Sequence, residues 1–412
     1  MKIEVITIGD EILSGNIVDT NFAWLGEKLW SAGYQLHWHS SVRDEPEDIT
    51  KALLAAVGRS DVALVTGGLG PTTDDITLEV AAKAFGLPLI LQPTALRMIE
   101  ERFQKIGRVM TPNNKKQALL PKGSTMISNS VGTAPGCQLT FKKTEFFFVP
   151  GVPREMKEQF QETIFPWIEK NDKEKRKFVQ KVLRCFGKPE ATIGQELEGI
   201  NLTGIDLAYR VSFPEILLKI SAWGKTTTTI AKRVEEVEKE IRKRLGVIVY
   251  GEGEESFAAV VGQLLAAKKK TVAVAESCTG GFLASLITDV PGSSNYFERG
   301  VVSYSNESKS DLLKVPPALI QTFGAVSSEV ASAMAIGIRK SSGATYGIGI
   351  TGIAGPEGGS AEKPVGTVFI GLSTPEGTET KEFHFPTHRD WFKRVAAFMA
   401  LDLLRRHLLK VS

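Results

Sequence analysis

Four times along this chain a short apolar run breaks directly into a glycine-bearing turn. Ile3–Ile8 runs into Gly9, Val62–Val65 into TGGLGP, Thr271–Ala275 into ESCTGG, and Tyr346–Thr351 into GIAGP. Apolar runs this short, without polar alternation, fit strands buried on both faces, as in parallel sheets covered by helices. Helical patterns fill much of the chain between them, which constrains the fold to α/β layers. Such sheets collect their ligands outside the carboxyl ends of the strands.

With 412 residues the chain exceeds one ordinary domain, and three segments are predicted: 1–170, 171–252 and 253–412. The charged stretch NDKEKRK, Asn171–Lys177, reads as a solvated linker, and Gly251–Glu255 marks a second break. The outer segments read as α/β domains. The middle one reads as a small α+β connector, with strands at Phe178–Phe186 and Glu215–Ala222. Its helix, Ile230–Leu245, places Val234, Val237, Ile241 and Leu245 at helical spacing. In the last segment Val365–Leu372 is a further strand, and Phe257–Ala267 and Val330–Arg339 are helices.

A net charge of +3 and 42% hydrophobic residues call for neither a nucleic-acid nor a membrane partner. No run approaches the roughly 20 apolar residues of a spanning helix, and MKIEVITIG lacks the pattern of a secretory signal. The cysteines Cys137, Cys185 and Cys278 are far apart and form no CxxC pair. A cytoplasmic location is the expectation.

Two constellations carry chemistry. In TGGLGPTTDD, Thr66–Asp75, the glycines Gly67, Gly68 and Gly70 can bring backbone amides to a phosphate, with Thr72 beside them. Asp74 and Asp75 offer oxygen ligands for a divalent cation such as magnesium, and Asp10, with Glu11, ends the first strand at the same expected edge. The plain alternative is a Gly-Pro turn whose acids cap a helix. In the second constellation, VAESCTGGFLASLIT, Ser277 stands at a strand-to-helix turn beside Gly280 and Gly281. Helix-start amides there can hold an oxyanion or a phosphate. PGSSNYFERGVVSYSNESK adds Ser294, Tyr304 and Lys309 without a histidine, so a lysine held neutral is the economical base. Thr351 ends a further strand at a glycine-rich loop. Read singly, Ser277 is a helix cap, Lys309 a surface cation and Cys278 a small buried residue.

Taken together, the motifs resemble the CinA family. TGGLGPTTDD, GDEILSGNIVDTN, GRVMTPNNKKQALLP, NSVGTAPG and VPGVPREM follow in the order of its molybdopterin-binding-like domain. ESCTGG, PGSS, YSNESK, TGIAGP and HRDWFKR are similar to its C-terminal domain, and the middle segment to its KH-type connector, although Gly187-Lys188-Pro189-Glu190 lacks the second glycine of a GXXG clamp. The resemblance implies a bifunctional hydrolase. The C-terminal domain would deamidate nicotinamide mononucleotide without a cofactor, through Ser277, Ser294, Tyr304, Lys309 and Thr351, with Arg389 and Arg394 on the phosphate. The N-terminal domain would hydrolyse ADP-ribose with a divalent ion, magnesium, cobalt or similar. A homodimer is expected. Ser277 and Ser294 both stand as nucleophiles at this point. Two rival readings are a molybdopterin-binding or adenylyl-transferring protein and a non-catalytic partner in DNA uptake or recombination; the first leaves the Ser/Lys constellation idle, and the second lacks a strongly basic patch.

Overall fold

The computed structural model describes residues 1–174 and 176–411; Lys175, inside the anticipated linker, and Ser412 lie outside the described residues. Contacts divide the chain into two compact units, Met1–Val179 with Trp223–Ile230, and Gln180–Ala222 with Ala231–Ser412.

The first unit is built on a six-stranded sheet. Its strands are β1 (Ile3–Ile8), β2 (Leu36–Val42), β3 (Val62–Thr66), β6 (Thr125–Ile127), β7 (Gly136–Phe141) and β8 (Thr144–Val149), and β4 (Leu89–Leu91) pairs separately with β5 (Leu119–Pro121). The order is β2-β1-β3-β8-β7-β6. The first four strands are parallel, and β7 runs antiparallel to β8. Every residue of β1, β3 and β8 is buried, because alternate side chains enter different cores. Val5, Leu64 and Phe147 pack with Leu25, Leu29 and Ile168, whereas Ile6, Val65 and Phe148 pack with Ile49, Leu53 and Ala81. The unalternating runs of the sequence are thus strands covered on both sides.

In the second unit, β10 (Asp206–Ser212), β11 (Glu215–Gly224), β9 (Lys177–Cys185) and β12 (Val249–Glu252) form a four-stranded sheet in that order. Its long helix is Thr227–Leu245. A five-stranded sheet follows in the order β14 (Phe297–Val302), β13 (Val272–Glu276), β15 (Tyr346–Gly352), β16 (Thr367–Ser373) and β17 (Thr378–His384). The first three are parallel, and β16 and β17 are antiparallel additions. The helix Ser328–Ser342 covers one face through Val330, Met334 and Ile338 against Ala273 and Ala275. On the other lies the terminal helix Arg389–Leu409, which sequence periodicity does not single out, since its buried residues surround most of its circumference.

Two differences from the sequence expectation have physical causes. Asn171 closes the helix Phe165–Asn171, and Asp172, only 7% exposed, donates its amide to Ile168, so the connecting stretch is short and partly packed. The connector also shares a core with the C-terminal domain: Phe186 lies 5.3 Å from Phe257 and 5.6 Å from Phe398, and Tyr250 lies 4.3 Å from Phe257. Among the described residues no helix is long and apolar enough to cross a membrane.

Candidate active sites

Parallel pairing of β13 with β14 and β15 brings three strand ends to one edge of the second unit's larger sheet. Ser277 follows β13 there, and its amide donates to Ile350 O at 3.0 Å. Glu276, buried in the last position of β13, accepts from the amides of Gly281, Leu283 and Ala284 at 3.1, 3.0 and 2.8 Å. A carboxylate at the start of the helix Phe282–Thr288 satisfies its open donors and fixes the turn before it. Gly281 closes that turn at φ +91°, a conformation open to glycine at little cost. The helix-start amides are therefore occupied, which corrects the expectation that they serve as anion donors. The Gly280 and Phe282 amides donate to Ser277 O and Thr279 O. Among the described residues, the turn amides left without a bond to another residue are those of Cys278 and Thr279, directly after Ser277.

Lys309 lies on the helix Asn306–Leu313, whose N-terminus is capped by Ser305 Oγ accepting from the Ser308 amide. The side chain is 1% exposed, and Nζ lies 3.1 Å from Ser277 Oγ, 2.8 Å from Ser303 O and 3.3 Å from Tyr304 O. Burial pushes its pKa below the ordinary lysine value, and no carboxylate among the described residues lies within ion-pair distance to reverse that. The neighbours suit a neutral amine. Two are carbonyls that only accept, which uses both N–H bonds, and the third is a hydroxyl able to donate to the remaining lone pair. Cys278, beside Ser277, has its thiol pushed up to about 12 by burial, which disfavours a thiolate.

Around this pair Thr351 is buried, its hydroxyl donating to Ala325 O at 2.8 Å, so it ties the end of β15 to the loop that carries Ala325. Tyr304 is exposed, and its hydroxyl accepts from Arg389 Nη2 at 2.9 Å while Arg389 Nη1 donates to Gly355 O at 2.8 Å. Arg394 stands with its guanidinium 5.6 Å from the Phe282 ring centroid. Lys393, which the sequence reading passed over, places Nζ 3.7 Å from where a β-carbon on Gly280 would stand. Ser294 is not brought to this group. It sits in the turn Ser293–Asn295 before β14, and because Val272 pairs with Phe297 while Glu276 pairs with Val302, it lies at the opposite strand end from Ser277. That separation is at least about 13 Å.

In the first unit the ends of β1 and β3 form the second candidate site. A β-carbon on Gly67, at φ +116°, would stand 2.1 Å from Ile8 O, so the strand ends approach only as far as a glycine permits. Thr77 Oγ1 donates to Gly67 O at 2.9 Å and closes the loop that carries Gly68 and Gly70. Asp75 turns back into this loop: Oδ2 accepts from the Thr72 amide at 2.8 Å and from the Thr72 hydroxyl. Asp74 is exposed, and the Thr72 side chain holds it below the ordinary carboxylate value. Asp10 and Asp44 face each other, Asp10 N donating to Asp44 Oδ2 at 3.1 Å and Asp44 N to Asp10 Oδ1 at 3.4 Å. Burial, followed by the like charges of Asp10, Glu11 and Asp74, raises the Asp44 pKa. Among the described residues no three His, Cys, Asp or Glu side chains are grouped to hold an ion. With Asp75 committed to Thr72, the acids fit magnesium held by one or two carboxylates and completed by water and substrate phosphates, not an all-protein cage.

The chain matches the CinA C-terminal domain over residues 254–408, the probable molybdopterin binding domain over 4–170, and the damage-inducible protein CinA KH domain over 180–251. A CinA-like protein of Geotalea uraniireducens is 43% identical, with 100% of this chain and 98% of that protein covered. The chain belongs to the CinA family. A CinA-like protein of Desulfosudis oleivorans is 42% identical over 99% of this chain and 100% of its own length. Among solved structures, the protein CinA of Thermoplasma acidophilum is 38% identical and covers 41% of this chain and 96% of its own, with a TM-score of 0.37. Set on the CinA domains, the Ser277–Lys309 pair falls in the C-terminal domain, and Asp10, Asp44, Gly67 and Asp74 fall in the molybdopterin-binding-like domain. The turn Gly187-Lys188-Pro189-Glu190 separates β9 from the helix Glu190–Glu196 of the KH domain. Asp44 carried no motif signal and Lys393 was passed over inside HRDWFKR in favour of the arginines, whereas a buried acid four residues before Gly-Gly and an apolar helix is a legible capping signal for Glu276.

Proposed function

We propose that the C-terminal domain is a serine–lysine amidohydrolase acting on nicotinamide mononucleotide, and that the N-terminal domain hydrolyses ADP-ribose with a divalent ion. The contact between a buried lysine amine and Ser277 Oγ carries the first reading. As Oγ attacks the carboxamide carbon, its proton passes to neutral Lys309 Nζ, and the amides of Cys278 and Thr279 face the oxyanion that forms. Collapse breaks the C–N bond, Lys309 returns the proton to the departing nitrogen, and ammonia leaves. Water then attacks the ester, giving its proton to Lys309, which restores it to Ser277 Oγ as nicotinic acid mononucleotide departs. Ser303 and Tyr304 carbonyls hold Nζ in place through both halves.

In the N-terminal domain, Asp10 and Asp44 would hold the ion, with Asp74 adding negative charge nearby; when bound, the ion neutralises pyrophosphate charge. The glycine loop from Gly67 to Gly70 stands at a strand end where phosphates are commonly received. The deciding experiment measures ammonia release from nicotinamide mononucleotide and AMP formation from ADP-ribose on the same preparation. A nicotinoyl-nucleotide mass adduct on Ser277 supports the acyl-enzyme. Turnover near the wild-type rate after Ser277→Ala removes the proposal for the C-terminal domain.

A further inference from the structure

The first two turns of the terminal helix carry exposed groups that its packing does not require. Trp391 is 50% exposed although the adjacent Phe392 is fully buried in the core. Against Trp391 lies Phe213, at the turn between β10 and β11 of the connector, with ring centroids 4.2 Å apart and planes 26° from parallel. Val211, on the same hairpin, is 59% exposed. Hairpin turns ordinarily carry small polar residues, so an apolar tip set against an exposed tryptophan marks a contact surface. Beside this stacked pair opens a cleft of about 400 Å³ lined by Val211, Ser212, Phe213, Trp391 and Arg394.

This cleft adjoins the Ser277 turn. Arg394 lies over Phe282, the residue after Gly281, and Lys393 Nζ stands above Gly280. At 1.5 Å per residue, Arg389 and Arg394 are about 7.5 Å apart along the helix, so its cations run from Tyr304 outward to the connector tip. Two cations beside an apolar aromatic wall suit an anion carried on a sugar: the guanidinium and ammonium take phosphate oxygens, and the outward side of the stacked rings takes the ribose.

We infer that the connector hairpin forms the outer wall of the amidohydrolase site, with Phe213 and Trp391 packing the ribose and Lys393 and Arg394 receiving the phosphate of a pyridine mononucleotide. The inference rests on the amidohydrolase reading of Ser277 and Lys309. It makes Phe213, a residue outside the C-terminal domain, a determinant of substrate affinity, and it gives Lys393 a role in distinguishing a nucleotide from a nucleoside.

The test uses the full chain with nicotinamide mononucleotide and nicotinamide riboside, which differ by the phosphate. Phe213→Ala is expected to raise KM for the nucleotide about 3- to 10-fold with a smaller change in kcat, and Phe213→Tyr to restore it. Val211→Glu, at an exposed position with little bearing on folding, is expected to raise KM for the nucleotide more than for the riboside, as is Lys393→Met. Unchanged KM in Phe213→Ala and Val211→Glu, or equal effects of Lys393→Met on both substrates, overturns the inference. Calorimetric titration of the nucleotide into Ser277→Ala, with and without Phe213→Ala, reads the wall without turnover: weaker binding supports it and equal binding overturns it. No ammonia release by the wild-type chain would overturn the amidohydrolase reading instead.

Discussion

The two candidate sites of this chain solve opposite electrostatic problems. At the C-terminal site burial pushes a lysine below its ordinary pKa, and its hydrogen-bond partners are two carbonyls and a hydroxyl. The N-terminal site keeps its acids at strand ends and loops, with Asp74 exposed and Asp44 crowded by like charge. A buried amine is set against Ser277 before substrate arrives, so its geometry is visible in the folded chain. A charged, open site keeps its repulsion in the folded chain, and a bound cation with phosphates would cancel it. The difference teaches where to look for function: preorganisation shows as hydrogen-bond accounting in one site, and as unrelieved charge in the other.

Substitutions at the buried pair should separate the two regions most sharply. Lys309→Met and Ser277→Ala are each expected to lower kcat for deamidation by about 10²- to 10⁴-fold while ADP-ribose hydrolysis is unchanged. Ser294→Ala should stay within about two-fold of wild type, since Ser294 lies at the far strand end; a loss as deep as that of Ser277→Ala would contradict the placement of the nucleophile.

A converse result is expected at the open site. Asp44→Asn should cost at least about 10-fold in ADP-ribose hydrolysis, with a raised requirement for added magnesium, and chelation should remove that activity while ammonia release persists. Asp75→Asn should act less on metal requirement than on the loop, because its carboxylate is bonded to Thr72. Equal loss of both activities on chelation would show that the ion serves more than the N-terminal site.

How far these sites were legible in the sequence depended on the range of the signal. Buried runs ending in glycine turns are local, and they placed Ser277, Gly67 and Thr351 at strand ends before any coordinates. The α/β layers followed from the same pattern, and the family motifs carried Lys309. Ser294 misled because nearness in sequence stood in for nearness in space; a parallel strand puts the residues before and after it at opposite edges. Asp75 reads two ways, because an acid at a turn caps its own loop as readily as it binds a metal, and here its Oδ2 accepts from Thr72. Asp44 and Phe213 arrive from separate elements with no local signature, and Lys393 stands in HRDWFKR beside arginines that drew the phosphate reading, so tertiary packing reveals all three.

The shared core of connector and C-terminal domain predicts the next effect in size. Phe186 packs on Phe257 and Phe398, and Arg405, paired with Asp402, also donates to Val247 O at 2.6 Å. Phe186→Ala should destabilise this unit by about 3 kcal/mol or more. A fragment beginning near Gly253 should lose the same contacts and show a lower Tm than the whole chain while retaining the Ser277–Lys309 pair. An equal Tm would show that the C-terminal domain needs no cover from the connector.

The smallest effect, and the most specific to the buried site, lies in the pH dependence of stability. Lys309 is pushed by burial below its ordinary value of about 10.4, so between its native and unfolded pKa the unfolded chain binds the extra proton. Stability contributed by this position therefore rises as pH rises through that window; below the native pKa the cost of the buried charge is present in full, and above the unfolded pKa it is gone. Lys309→Met removes the titration and leaves the other lysines in place. The urea midpoint of wild type relative to Lys309→Met should accordingly move in favour of wild type from about pH 7 towards pH 10, and kcat/KM for deamidation should climb over the same range as the neutral amine is populated. Parallel midpoints with a flat activity profile would mean that Lys309 carries the same charge in both states, and the neutral-base arrangement would have to be given up.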